Sequence, residues 1–129
     1  MSHAVGTFEV KMKPEPLCEV AAVTKIGRMS LDKAYQGQLA GTSQGEFLAF
    51  MGSEKGSAGY VAMERVTGTL EGKTGSFTLM HTGVMTRGTP ELKVMVVPDS
   101  GTEELLGMSG SLKIDIVEGK HFYELDYEF

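Results

Sequence analysis

The sequence predicts an all-β protein, built as an antiparallel barrel or sandwich of about eight strands. Alternation of apolar and polar residues runs through most of the 129 residues, whereas apolar residues at helical spacing are hard to find. No segment between the predicted strands is typical of a crossover helix, which argues against a parallel α/β fold. The 17 glycines are explained by turns, bulges and the corners that a small closed sheet requires.

Alternation also predicts the individual elements in chain order. The first strand is clear, because Phe8, Val10 and Met12 alternate with polar neighbours. Residues 30–36 are predicted to hold at most a short helical turn, and residues 41–45 to separate two short strands. Turns are predicted at 71–75, within a central hairpin, and at 118–119. The predicted strand segments are 6–13, 19–31, 34–43, 45–52, 59–70, 75–85, 92–97, 105–117 and 120–129.

Length, charge and cysteine content limit the class of protein. The chain is long enough for one core, so residues 1–129 are predicted to form a single β-barrel domain. A net charge of −5 with scattered basic residues argues against a nucleic-acid partner. No apolar segment suits a membrane span and the N-terminus does not resemble a signal peptide. Cys18 is the single cysteine, which is typical of a cytoplasmic protein.

Most signatures of catalysis and of cofactor binding are absent. His3, His81 and His121 are the three histidines, and neither an HxxxH nor a CxxC spacing accompanies them. No glycine-rich phosphate-binding motif occurs, and the segment 107–111 is not a nucleophile elbow. We therefore expect neither a metal ion nor a cofactor.

Glu64 is the first candidate for chemistry. On the predicted strand 59–70 it shares a face with Tyr60, Val66 and other apolar residues. Burying a carboxylate is costly unless it is paired, and burial tends to raise its pKa, so Glu64 is a candidate general acid or base. The alternatives are a structural ion pair, for example with Arg28, or a reversed assignment of the two faces.

His81 is the second candidate, on the other arm of the central hairpin. It shares its predicted face with Phe77, Leu79 and Met85. The hairpin could bring His81 beside Glu64 inside the barrel, where the two would form a proton-transfer pair. The alternative is a histidine that completes a hydrogen-bonded core.

The last predicted strand adds aromatic residues to the same interior. His121, Tyr123 and Tyr127 alternate there with outward-facing acidic residues. A buried tyrosine hydroxyl needs a partner, and either a lined pocket or a self-satisfied network supplies one. The residues predicted to line a ligand site are Tyr60, His121, Tyr123 and Tyr127.

Three segments, in the same order, resemble one protein family: GYVAMERVTGTLEGKTGSFTLMHTG, VVPDSGTEELLGMSG and GKHFYELDYEF. The chain resembles the bacterial domain-of-unknown-function 3224 proteins over nearly its whole length. This resemblance implies a closed, antiparallel, eight-stranded, calycin-like β-barrel similar in fold to allene oxide cyclase, and so favours the barrel over the sandwich. In that family the second segment usually contains SGTGEL, whereas Glu103 stands here at the place of the second glycine, which questions a tight turn there.

The resemblance implies no activity, because that family is uncharacterised and no site motif of the cyclase matches this chain. The leading hypothesis is a barrel that binds a small, largely apolar ligand. One alternative is a cofactor-independent isomerase, cyclase or lyase that uses Glu64 and His81 for proton transfer. Another is a filled barrel that acts only in assembly or interaction. A homo-oligomer is expected, because apolar outer strands such as 92–97 are buried at interfaces.

Overall fold

The computed structural model describes all residues from Met1 to Phe129. Eight antiparallel strands follow one another around a closed barrel, because β1 pairs with β8 as well as with β2. The prediction of an all-β, antiparallel, eight-stranded barrel is therefore confirmed. The strands are β1 Ser2–Glu15, β2 Gly27–Gly37, β3 Leu39–Met51, β4 Ala58–Leu70, β5 Lys73–Thr86, β6 Thr89–Val96, β7 Ser109–Val117 and β8 Lys120–Glu128.

Helical structure is limited to two short 3-10 helices, Val20–Thr24 and Glu103–Leu105. No helix has the length and apolar character needed to cross a membrane. The predicted strand over 19–31 is therefore wrong in its first half, and residues 30–36, where at most a short helical turn was expected, contain none. That segment belongs to β2, whose backbone pairs with β1 on one side and β3 on the other. Pairing on both sides is a tertiary interaction that the local pattern did not show.

β3 is one continuous strand, so the predicted interruption at 41–45 is also wrong. The chain instead turns at Gly37 and Gln38, and Gly37 has a φ of 109°, which suits glycine. Gly41 and Gly45 remain inside β3 because β4 approaches them closely. A Cβ atom added to Gly45 would lie 2.0 Å from the carbonyl oxygen of Met63. These two glycines permit a tight strand contact rather than a turn.

The turn predicted at 118–119 is confirmed, and the turn predicted over 71–75 is confirmed at its first two residues, since 73–75 belong to β5. β4 and β5 are joined by Glu71 and Gly72, and β7 and β8 by Glu118 and Gly119. All four residues have positive φ. Two-residue hairpin turns of this kind match the twist of the strands that they connect.

One end of the barrel, here called the closed end, is sealed by the loop between β6 and β7. Leu105 and Met108 of this loop are completely buried against the core. The loop is fastened to β5 by backbone hydrogen bonds, because the Thr102 amide donates to the Ser76 carbonyl oxygen at 2.9 Å. The Glu104 carboxylate also accepts from the Thr74 amide at 3.0 Å.

The opposite end, here called the open end, is not sealed. In β6 the exposed fraction of inward-facing side chains rises from 3% at Val94 to 42% at Leu92. In β5 the exposed fraction rises in the same way, from 3% at His81 to 41% at Met85. Strand register places these positions at one end, because Gly83 pairs with Leu92 and Met85 with Pro90. The barrel interior is therefore in contact with solvent at this end.

The outer surface carries an apolar patch, although not where it was predicted. In the segment 92–97, Val94 and Val96 face the interior, so β6 contributes little to the outside. The exposed apolar side chains belong mainly to β3, β4 and β5, where Leu48 pairs with Val61 and Met63 with Met80. We call this surface the outer patch, with members Leu48, Phe50, Val61, Met63, Met80 and Val84.

The turn at Glu103 is formed even though glycine is absent. Glu103 has a φ of 53°, in the left-handed region that favours glycine, and it begins the short helix that leads to Leu105. The left-handed conformation costs a residue with a Cβ atom about 1–2 kcal/mol. Packing of the closed end opposes this strain.

We expect Glu103→Gly to raise the free energy of unfolding by about 0.5–1 kcal/mol. Removal of the strain exceeds the extra entropy that glycine brings to the unfolded chain. Urea unfolding of both proteins measures the difference. The matched control is Glu104→Gly, which removes the hydrogen bond to the Thr74 amide at a residue without positive φ and is expected to destabilise. Equal effects of the two substitutions would contradict the assignment of strain.

Candidate functional site

Inside the barrel, the Glu64 carboxylate is the centre of a buried polar group of five side chains. On one side Oε2 lies 2.6 Å from Lys33 Nζ and 3.0 Å from His81 Nε2. On the other side Oε1 accepts hydrogen bonds from the Tyr35 hydroxyl and, at 3.2 Å, from Ser43 Oγ. All five side chains are buried. We call them the Glu64 cluster.

Small residues on β3 allow this cluster to form. Lys33 and Tyr35 lie on β2 and Glu64 on β4, so their side chains must meet across the intervening strand β3. The inward-facing positions of β3 opposite them are Gly41, Ser43 and Gly45. Because these residues are small, the longer side chains of β2 reach the carboxylate.

The environment of Glu64 keeps its carboxylate ionised. Burial by itself raises the pKa, but the hydrogen bond from His81, the charge and hydrogen bond of Lys33 and the hydrogen bond from Tyr35 together lower it to about 2. The rise expected from the sequence is therefore wrong, because hydrogen bonds from His81, Lys33 and Tyr35 and the Lys33 charge stabilise the ionised carboxylate. Burial and the neighbouring carboxylate raise the pKa of Tyr35 well above its usual value.

Lys33 supplies the charge that balances Glu64. Its ammonium group also lies 4.6 Å from the centroid of the Phe8 ring, which is a favourable cation–π contact. Prediction from the sequence missed Lys33, Tyr35 and Ser43. The signal was present in β2, where Leu31, Lys33 and Tyr35 share one face, but the predicted strands 19–31 and 34–43 left Lys33 between them, where at most a short helical turn was expected.

The structure brings Glu64 and His81 into direct contact and places Tyr60 and His121 nearer the open end. Tyr60 precedes Glu64 by four residues on β4, and its ring lies against Gly83, where an added Cβ would be 2.1 Å from Tyr60 Cε1. The Phe47 ring packs edge-on against the Tyr60 ring, with 5.8 Å between the two ring centroids. His121 is partly exposed and lies 5.0 Å from the Phe8 ring.

Tyr123 and Tyr127 are not part of the Glu64 cluster. The Tyr123 hydroxyl accepts from the Leu39 amide at 2.9 Å and lies 3.0 Å from the carbonyl oxygens of Gln36 and Leu39. The Tyr127 hydroxyl donates to the Glu71 carboxylate at 2.6 Å. The Tyr123 hydroxyl thus stabilises the turn between β2 and β3, and the Tyr127 hydroxyl stabilises the turn between β4 and β5.

Two surface pockets of about 490 and 520 Å³ lie outside the cluster. The first is lined by residues of β1 and of the hairpin between β7 and β8, including Val10 and His121. Neither pocket is lined by Glu64 or His81. No group of three or more His, Cys, Asp or Glu side chains is arranged to hold a metal ion.

Comparison with known proteins assigns the family. The family model described as "Protein of unknown function (DUF3224)" matches residues 4–127. The chain belongs to the DUF3224 family. A crystal structure of a family member of unknown function from Shewanella oneidensis MR-1 is 47% identical and superimposes with a TM-score of 0.92, covering 100% of this chain and 97% of that one. No curated protein matches. The predicted family resemblance is confirmed, whereas the likeness to allene oxide cyclase stays a prediction.

We expect Glu64→Gln to lower the free energy of unfolding by about 3–5 kcal/mol. The substitution preserves the shape of the side chain but leaves the Lys33 ammonium buried beside a neutral amide. Urea unfolding at neutral pH measures the loss.

Glu46→Gln is the matched control, since Glu46 pairs with Arg28 on the surface and an exposed pair contributes no more than about 1 kcal/mol. Because the pKa of Glu64 is lowered from 4.5 to about 2 in the folded protein, its ionic contribution is complete above pH 4.5. It is lost as the pH falls through about 2. The difference in free energy of unfolding between wild type and Glu64→Gln should therefore decrease as the pH is lowered from 4.5 to about 2. Equal losses for Glu64→Gln and Glu46→Gln would contradict the role of the cluster.

Proposed function

We propose that the protein binds a small, largely apolar molecule in the open end of the barrel. The observation that carries this proposal is the gradient of exposure along the inward-facing side chains, which are buried at the Glu64 cluster and exposed beyond it. An eight-stranded barrel has room for one small ligand at most. A ligand at the open end would rest on the Glu64 cluster.

The side chains at the open end indicate the chemistry of the ligand. Inward-facing positions there are mainly apolar, and flexible methionines adapt to ligands of different shape. Tyr60 and His121, both predicted to line the site, add aromatic surface. The exposed apolar members are Met12, Met51, Met85, Leu92 and Ile116.

Catalysis by Glu64 and His81 stays a prediction, and the geometry limits its form. A carboxylate that accepts from four donors and has a pKa of about 2 is a weak base at neutral pH. Proton transfer to a ligand would therefore pass through His81, with Glu64 as the group that orients it. Tyr123 and Tyr127 support the barrel around such a site through the turns that they hold.

We also propose that the protein self-associates through the outer patch. The patch spans β3, β4 and β5 without a charged residue among its members. Glu46 and Arg65 lie at its edge, as do Glu91 and Lys93 of β6. A core without charges inside a rim of both signs is the usual composition of a protein interface, and the mixed rim suits a second copy.

We also propose that the protein is located in the cytoplasm. Cys18 is a free thiol on the surface. An exposed free thiol suits a reducing compartment, in which thiols are kept from forming disulfides.

We expect N-phenyl-1-naphthylamine, a neutral apolar fluorophore, to bind with increased emission. Leu92→Arg should weaken its binding at least about ten-fold, because the new charge stands in the open end beside the ligand. Fluorescence titration measures the affinity. Val5→Arg is the matched control, since Val5 is a similarly exposed apolar residue on the outer face of β1 and lies outside the outer patch. Absence of binding, or equal loss in both variants, would overturn the proposed site.

We expect light scattering to give a mass larger than the 13.9 kDa of one chain. Val61→Glu places a charge in the middle of the outer patch and should shift the protein to the monomer. Val5→Glu is the control, because Val5 is a similarly exposed residue on β1, outside the patch. A monomeric wild type, or loss of assembly in the control, would argue against this interface.

A further inference from the structure

His81 has one ring nitrogen that the Glu64 cluster does not use. Its Nε2 contacts Glu64 Oε2 at 3.0 Å, whereas Nδ1 has no hydrogen-bond partner in the protein. The residue is only 3% exposed. Since no buried side-chain nitrogen or oxygen atom lacks a partner, Nδ1 lies where solvent reaches it. His81 faces the barrel interior, and the closed end is sealed, so this contact with solvent is through the open end.

Glu64 determines which proton His81 carries. An ionised carboxylate only accepts hydrogen bonds, so Nε2 must hold the proton that it donates to Glu64. In neutral imidazole the other nitrogen then has a lone pair and no proton. In this neutral tautomer Nδ1 is therefore an acceptor.

We propose that Nδ1 of His81 accepts a hydrogen bond from the ligand, so that the ligand class is a neutral, largely apolar molecule with a hydroxyl group. This inference rests on the proposed function, because it names the polar group of a ligand that occupies the open end. It assigns His81 to ligand recognition and Glu64 to the control of its tautomer. The apolar body of the ligand would contact the side chains of the open end.

Neighbouring charges exclude other polar groups. Lys33 and His81 contact the same Oε2 atom, so the Lys33 ammonium is close to the ligand position and disfavours a cationic donor such as an amine. A carboxylate or a ketone has no proton to donate and would leave Nδ1 facing another acceptor. The arrangement thus distinguishes an alcohol from a ketone or an acid of the same chain length.

Competition against bound N-phenyl-1-naphthylamine tests this inference with three matched probes: 1-octanol, 2-octanone and octanoate. We expect 1-octanol to compete about ten-fold more strongly than 2-octanone and octanoate, because a buried acceptor left unpaired costs that much affinity. The advantage should be lost in His81→Phe. It should be retained in part by His81→Gln, whose amide can donate to Glu64 and accept from the hydroxyl.

Nitrogen-15 NMR of the histidine rings gives a readout that does not depend on substitution. In the free protein, His81 should show a protonated Nε2 and an unprotonated Nδ1, and 1-octanol should shift the Nδ1 resonance while 2-octanone leaves it in place. The other two histidines serve as internal controls. This measurement keeps the inference testable if His81→Phe does not fold.

The outcomes separate this inference from the proposed function. Equal competition by the three probes, or stronger competition by octanoate, would overturn the hydroxyl inference and leave the apolar site standing. A protonated Nδ1 in the free protein would overturn it as well. Failure of the fluorophore and of every probe to bind would overturn the apolar site and the hydroxyl inference together.

Discussion

The buried ion pair between Lys33 and Glu64 is the interaction on which the interior of this barrel depends. A carboxylate without donors could not stay charged in the core, and a lysine without an anion could not stay there at all. The pair joins β2 to β4 across β3, two strands that do not pair with each other. Tyr35, Ser43 and His81 complete the coordination of the carboxylate. A shift of register in any of the four strands would break these contacts.

The rest of the interior is arranged around that polar layer. Toward the closed end the barrel is filled with apolar side chains and sealed by Leu105 and Met108. Tyr123 belongs to this sealed part, since its hydroxyl satisfies the backbone near Leu39. Toward the open end the inward-facing side chains are apolar but exposed. The polar layer thus separates a packed core from a region that solvent reaches.

In this arrangement one side chain, Glu64, is central both to folding stability and to the ligand recognition proposed for His81. Glu64 stabilises the buried Lys33, and the same carboxylate holds His81 in one tautomer. The histidine in turn is the member of the cluster with a ring nitrogen left unbonded. A substitution at Glu64 therefore changes both folding stability and the hydrogen-bonding character of the open end. Substitutions at Leu92 or Met85 affect the open end without touching the ion pair.

The sequence by itself determined the class of fold and the side of the sheet on which most residues lie. Alternation with a period of two predicted the inward faces of β4, β5 and β8, and positive-φ turn residues such as Gly72 and Gly119 marked two hairpins correctly. Glu64 and His81 were found because a polar residue on an apolar face is visible locally. The ends of β2 and the continuity of β3 were missed, since glycines within a strand look like breaks.

The tertiary structure alone decided which inward-facing residues meet. Lys33 and Glu64 lie on strands that are not neighbours, so their contact depends on the pairing of both strands with β3 and on the small side chains of β3. The low pKa of Glu64 follows from donors on two other strands, Lys33 and Tyr35 on β2 and His81 on β5. The closed end differs from the open end because the loop between β6 and β7 packs over it and hydrogen-bonds to β5. Periodicity reports the direction of a side chain but not its partners, because partners are set by contacts between residues distant in the chain.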